Sequence, residues 1–296
     1  MKKIEIYKKG GFSERKGLKE FSNIVQTDSL NERTRNKIYS AFEKEFINLS
    51  ERAYERSVDY DERFVYYLYT EVFSLVEDDI PEGYNDKYDY EEVLTTIRNI
   101  FSSYEYNEVF DFVESIFSAF DYAEIDKRFS PLETKKYFIK SIEKIFKEEN
   151  VNYRVINDLI TDIVSETEIN SINEALTKGK TVTQNHISKA LELLYKNQDY
   201  DNSIKESISA VESECQIVTG NDKATLGDAL KKLPTTVHKS LIEAFKKIYG
   251  YTSDANGIRH ANGIGEGDST FEEAKYMLIS CSAFVNYLRD SIRKDE

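Results

Sequence analysis

Tryptophan is absent from this sequence, cysteine occurs twice and histidine three times. No run approaches the roughly 18 consecutive apolar residues that a membrane-spanning helix needs, so no such helix is expected. The start, Met1-Lys2-Lys3-Ile4-Glu5-Ile6, is basic but lacks the apolar stretch of a signal peptide. Cys215 and Cys281 are too few for a disulfide framework or a cysteine metal site, and they fit a reducing cytoplasm. Each sits in a helical apolar pattern, which marks it as a small core residue rather than a nucleophile. His186 and His238 have no carboxylate or histidine at ligand spacing, so no metal is expected.

Positive charge is also scarce. Lys+Arg number 40 against 54 Asp+Glu, a net charge of −14. Residues 1–184 hold 26 against 37, giving −11, and residues 185–296 hold 14 against 17, giving −3. Bulk attraction to phosphate drives non-specific nucleic-acid affinity, so this balance counts against a general nucleic-acid binder. It leaves room for a nuclease that touches a few nucleotides through a local basic patch, placed most naturally in the C-terminal part.

What is present is helical periodicity over 296 residues, long for one core. Residues 1–28 read as irregular, with a short strand at 4–7 and a polar, glycine-flanked turn at Phe12-Ser-Glu-Arg-Lys-Gly17. A helix is expected from Ser29, with Glu32 completing a capping box, and another over 61–76 with Phe64, Leu68, Val72 and Leu75 on one face. A third follows at 91–102. A strong apolar stripe, Val109, Phe112, Val113, Ile116, Phe117 and Phe120, marks the next. Ser130-Pro-Leu-Glu133 combines an N-cap, Pro at the first helical position and Glu at the third. The many Tyr and Phe residues of this half are read as core rather than as stacking platforms, because few basic residues accompany them.

The β-branched runs 151–156 and 159–164, separated by Asn157-Asp158, predict a hairpin with a tight turn. Ser165 with Glu168 then caps a short helix to about 177. Gly179-Lys180-Thr181 imitates the end of a phosphate-binding loop, but Glu174 stands where that loop needs glycine, and the match fails. Helices follow over 186–195, from Asn202 or Ser203 to Gly220, from Thr225 to 233, over 237–249 with Leu241, Ala244, Phe245 and Ile248 inward, and over 271–292.

Several of these stretches resemble a known family. Ser203-Ile-Lys-Glu-Ser-Ile-Ser-Ala-Val-Glu-Ser213, Ala224-Thr-Leu-Gly-Asp-Ala-Leu-Lys-Lys-Leu233, Tyr249-Gly-Tyr-Thr-Ser-Asp254, Gly257-Ile-Arg-His260 and Ala283-Phe-Val-Asn-Tyr287 look like the C-terminal domain of AbiJ-type abortive-infection proteins. The Phe12–Gly17 turn resembles the opening of the N-terminal domain often joined to it. The resemblance implies a C-terminal domain related to HEPN helical domains, many of which are metal-independent, dimeric ribonucleases of bacterial toxins and phage defence. The expected architecture is mainly α: an N-terminal helical domain (1–150), a β-hairpin and connector (151–184), and a HEPN-like bundle (185–296).

The chemistry then centres on Arg259 and His260, in the polar, glycine-rich stretch expected between a helix ending at Gly250 and one starting near Ser269. Histidine exchanges protons near neutrality and arginine is a permanent, phosphate-matching cation. His260 would take the proton of an RNA 2′-hydroxyl and Arg259 would hold the phosphoryl oxygens. The resemblance implies an Arg and a His several residues apart, whereas these two are adjacent. Asn256 is the alternative upstream partner of His260. Lys246 and Lys247 supply the local basic patch for RNA. No cofactor is expected; the partners are RNA as substrate, a second copy through the C-terminal domain, and a protein trigger or antitoxin. The competing readings are that Arg259 and His260 bind loop carbonyls and pin the last helix, and that the HEPN-like half is a non-catalytic binding or assembly module.

Overall fold

The computed structural model describes residues 12–16, 25–84, 87–124, 133–233, 237–254 and 269–292. Its contacts divide the chain into two compact units, Met1–Ile160 and Thr161–Glu296. The secondary structure is mainly helical, with one two-stranded hairpin among the described residues.

In the N-terminal unit, α1 (Phe12–Arg15) is one helical turn within the stretch read as a polar turn. The expected strand at 4–7 lies outside the described residues. α2 (Glu32–Arg56) starts two residues later than its sequence suggests: Asn31, not Ser29, is the N-cap, its Oδ1 accepting from Thr34 N at 2.8 Å. Asn is as good a cap as Ser, and here its acceptor reaches the exposed amide. α2 buries Ile38, Phe42, Phe46, Leu49 and Ala53, a stripe at helical spacing, and ends at Ser57 in the left-handed region.

α3 (Tyr60–Tyr67) continues into a wider turn over Leu68–Val72, closed by Phe73 N donating to Leu68 O at 2.8 Å. The helix expected to reach 76 therefore stops earlier, and Leu75 is exposed rather than on the core face. α4 (Tyr90–Ser103) falls where a helix is expected and α5 (Tyr106–Ala123) follows its predicted stripe; all six apolar residues singled out on α5 are buried. α6 (Thr134–Glu148) begins after Glu133, whose φ of 58° takes it out of the helix. Glu133 is thus not the third helical residue expected; Ser130, Pro131 and Leu132 lie outside the described residues.

The core of this unit is aromatic. Phe42 sits 6.0 Å from Phe64 and Phe64 sits 4.7 Å from Phe120, with Phe46, Phe101, Phe117 and Phe138 packed around them. The Phe stripes are core, as read from their spacing; of the tyrosines, Tyr60 and Tyr69 are buried, whereas Tyr54, Tyr84, Tyr104, Tyr122 and Tyr137 are exposed.

β1 (Arg154–Ile156) and β2 (Leu159–Thr161) form the predicted hairpin, and the unit boundary falls within β2. Asn157 and Asp158 have φ of 50° and 64°, the left-handed pair a two-residue turn matching strand twist requires. A two-stranded sheet leaves edge amides unpaired; here Glu143 accepts from Val155 N at 2.5 Å and Glu114 from Ile160 N at 2.6 Å. Carboxylates of α6 and α5 thereby complete the edges.

The C-terminal unit contains α7 (Glu166–Thr177), α8 (Thr181–Glu192), α9 (Tyr200–Thr219), α10 (Leu226–Lys231), α11 (Lys239–Asp254) and α12 (Phe271–Ile292). Ser165 and Thr225 cap α7 and α10 as expected. α9 instead opens at Tyr200: Asp199 is its N-cap, and Ser203 is buried with its hydroxyl donating to Ala190 O at 2.8 Å. α9 and α12 form the central pair, with α8 on α9 and α7 on α12. Cys215 and Cys281 are fully buried there.

Candidate functional site

α11 does not stop at Gly250. It runs through to Asp254, so the predicted break is wrong. A mid-helix glycine costs only about 1 kcal/mol, which the hydrogen bonds of the continuing turns offset. The helix is attached through Phe245, stacked on Phe284 of α12 at a centroid distance of 3.9 Å and an angle of 11°. Leu241 and Ala244, expected inward, are exposed. Lys247 is exposed and Lys246 half-buried, the latter held 2.5 Å from Glu243. Lys246 is therefore partly neutralised within its own helix.

Beyond the glycine-rich stretch, the start of α12 is firmly fixed. Thr270 N donates to Glu273 Oε2 at 2.8 Å and Glu273 N to Thr270 Oγ1 at 3.2 Å, a reciprocal capping box. Ser269 N donates to Asp201 Oδ1 at 3.1 Å, tying this end to the start of α9. Asn256, Arg259 and His260 themselves lie outside the described residues, as does the rest of 255–268.

The other two histidines have structural engagements. His238 Nδ1 accepts from Ser240 N at 3.2 Å, and its carbonyl accepts from Leu241 N at 2.9 Å, which starts α11. His186 Nδ1 lies 2.6 Å from Glu206 Oε2, and Lys189 Nζ lies 2.5 Å from Glu206 Oε1. Burial alone would raise the Glu206 carboxyl, but the hydrogen bonds from Lys189 and His186 outweigh it and hold the group below its ordinary range. Sequence spacing missed this triad because α8 and α9 bring together residues 20 apart; only the antiparallel pairing of the two helices supplies the neighbour. Among the described residues no group of three or more His, Cys, Asp or Glu could hold a metal ion. Nor is any described helix long and apolar enough to cross a membrane.

A hollow of about 600 Å³ opens in the N-terminal unit, lined by Tyr54, Asp59, Asp61, Glu62, Lys87 and Tyr90 among others. Residues 51–92 around it carry 14 Asp+Glu against 4 Lys+Arg, a net −10. Such a surface repels phosphate.

The architecture is that of a two-unit, mainly helical protein with a short hairpin at the junction of its units in the chain. Residues 10–178 match the family described as AbiJ N-terminal domain 4, more than half of the sequence, and the chain belongs to that family. It is an AbiJ-family abortive-infection protein. No curated protein and no solved structure matches it significantly.

Proposed function

We propose that this abortive-infection protein acts through its C-terminal helical unit as a metal-independent endoribonuclease of HEPN type, working as a homodimer in the cytoplasm. The supporting observation is the frame around the Arg259–His260 stretch. The two helices that flank it in the sequence are stacked on each other through Phe245 and Phe284, and the second is capped and tied to Asp201. Flanking helices fixed in this way anchor the chain on either side of the stretch that carries the proposed pair, and proximity catalysis needs such constraint. With His186 and His238 engaged elsewhere, His260 is the imidazole left for proton transfer.

In the proposed reaction His260 removes the 2′-hydroxyl proton and O2′ attacks the adjacent phosphorus. The bond to the 5′-oxygen breaks, leaving a 2′,3′-cyclic phosphate, and His260 of a second copy protonates the departing oxygen. Arg259 stabilises the extra negative charge on the phosphoryl oxygens, and Lys247, with Lys246 behind it, draws the RNA backbone in. The N-terminal unit holds the nuclease silent or receives the trigger; its acidic surface fits a basic protein partner. The test is induced expression in bacteria. Wild type is expected to arrest growth and His260→Ala to permit it; equal growth of both strains, at matched protein levels, contradicts the reading.

A further inference from the structure

The family match extends through residue 178 and so covers all of α7, yet α7 packs inside the C-terminal unit, on α12 and α8. The N-terminal family module thus contributes a helix to the bundle that follows it. How that helix is seated distinguishes it from its neighbours.

α12 presents two adjacent stripes. Ala274, Met277, Leu278, Cys281, Val285 and Leu288 are buried and apolar. Lys275, Ser282, Asn286 and Arg289 fall within about 60° of one another at 100° per residue, forming a second, polar stripe. The polar contacts of α12 with the strap over residues 161–180 come from this second stripe. At one end Lys275 Nζ lies 2.9 Å from Asp162, whose other oxygen accepts from Tyr195 OH at 2.6 Å. In the middle Asn286 Nδ2 donates to Ser171 O at 2.8 Å. At the far end the Arg289 guanidinium lies against Gly179, whose φ is +86°, and Arg289 Nη2 is 3.0 Å from Glu214 Oε2.

This seam is poorly satisfied. Ser171 Oγ, Ser282 Oγ and Asn286 Oδ1 are buried and make no hydrogen bond among the described residues. Buried polar atoms without partners carry a desolvation penalty that apolar contacts do not. α7 offsets it with three buried apolar residues, Ile169, Ile172 and Ala175, whereas α9 buries five, Ile204, Ile208, Ala210, Val211 and Cys215. A helix held by polar clasps over a small apolar face is the part of a bundle that opens first.

We propose that the strap carrying α7 is a reversible docking element, and that the polar stripe of α12 is the surface it docks on and leaves. Release of α7 is the step by which the family module acts on the C-terminal unit: strain arriving along the hairpin pulls Asp162 from Lys275 and frees α12, the helix that follows the Arg259–His260 stretch. The docking does not depend on what the bundle does to RNA, and its test reads no RNA.

The experiment is amide hydrogen exchange, resolved by peptide, on the full chain. In wild type α7 is expected to exchange about tenfold faster than the centre of α9. Asn286→Ala is expected to accelerate α7 several-fold further and leave α9 unchanged. Lys275→Ala, at a partly exposed clasp, gives the same readout if the first variant fails to fold. The proposal is overturned if α7 and α9 exchange at one rate in wild type, if the variants accelerate both helices together, or if they leave α7 unchanged.

Discussion

Replacing Gly179 by alanine tests the packing of the C-terminal unit with an internal control. A Cβ at this position falls 2.5 Å from Cζ, Nε and Nη2 of Arg289, and φ is +86°. The left-handed backbone costs an L-residue about 1–2 kcal/mol. The clash adds a second cost, because the guanidinium must leave Glu214, to which it lies 3.0 Å away with both side chains almost fully buried. Parting a buried ion pair leaves charge uncompensated, at about 3–5 kcal/mol when complete; partial displacement brings the expected total to about 3–5 kcal/mol. Gly220, the C-cap of α9, has a similar φ of +65°, but a Cβ added there would meet nothing within 4 Å. Gly220→Ala therefore bears the backbone cost alone, about 1–2 kcal/mol. Urea unfolding of both variants beside wild type, followed by circular dichroism, measures the difference. Losses equal within about 0.5 kcal/mol, below the resolution of such comparisons, refute the close seating of Arg289 on the strap.

Three further outcomes follow from the same structure. Phe42→Ala removes a fully buried ring in contact with Phe46, Phe64, Phe101 and Phe138, and an unfolding titration should show a loss of about 3–5 kcal/mol. Glu206 has a depressed carboxyl pKa, so its stabilisation is present above the ordinary value of 4.5 and is lost as pH falls through the lower folded value. The stability gap between wild type and Glu206→Gln should accordingly narrow below pH 4.5; a gap that is constant with pH would contradict the triad. Burial pushes the Cys215 thiol up to about 12 and the Cys281 thiol higher still. Iodoacetamide at pH 8, roughly half a unit below a free thiol's pKa, should label neither cysteine in the folded protein and both in denaturant.

Local chemistry determined which features were legible in the sequence. The hairpin was legible because Asn157-Asp158 is one of few dipeptides that tolerate two left-handed residues in succession. The α5 and α12 stripes were legible because apolar spacing alone defines them. Helix starts were less so: several capping residues lie close together at 29–31 and 199–203, and only the chain path selects Asn31 and Asp199. Gly250 reads as a stop, yet it lies inside α11. The His186–Glu206 pair and the polar clasp of α12 depend on neighbouring helices, so single-helix periodicity carries no signal for them beyond buried-looking Ser282, Asn286 and Arg289 amid apolar residues. Of the candidate site, Arg259 and His260 are proposed from their chemistry and Asn256 from the family resemblance; the structure describes the helices on either side and shows Lys246 shared with Glu243.

The most direct test of the functional account is RNA cleavage by the purified full chain in the presence of EDTA, with end-group analysis of the products. The account predicts that wild type yields fragments ending in 2′,3′-cyclic phosphate, and that His260→Ala and Arg259→Ala, folded as wild type by circular dichroism, yield none. RNA left intact by wild type, or cut equally by all three proteins, contradicts it.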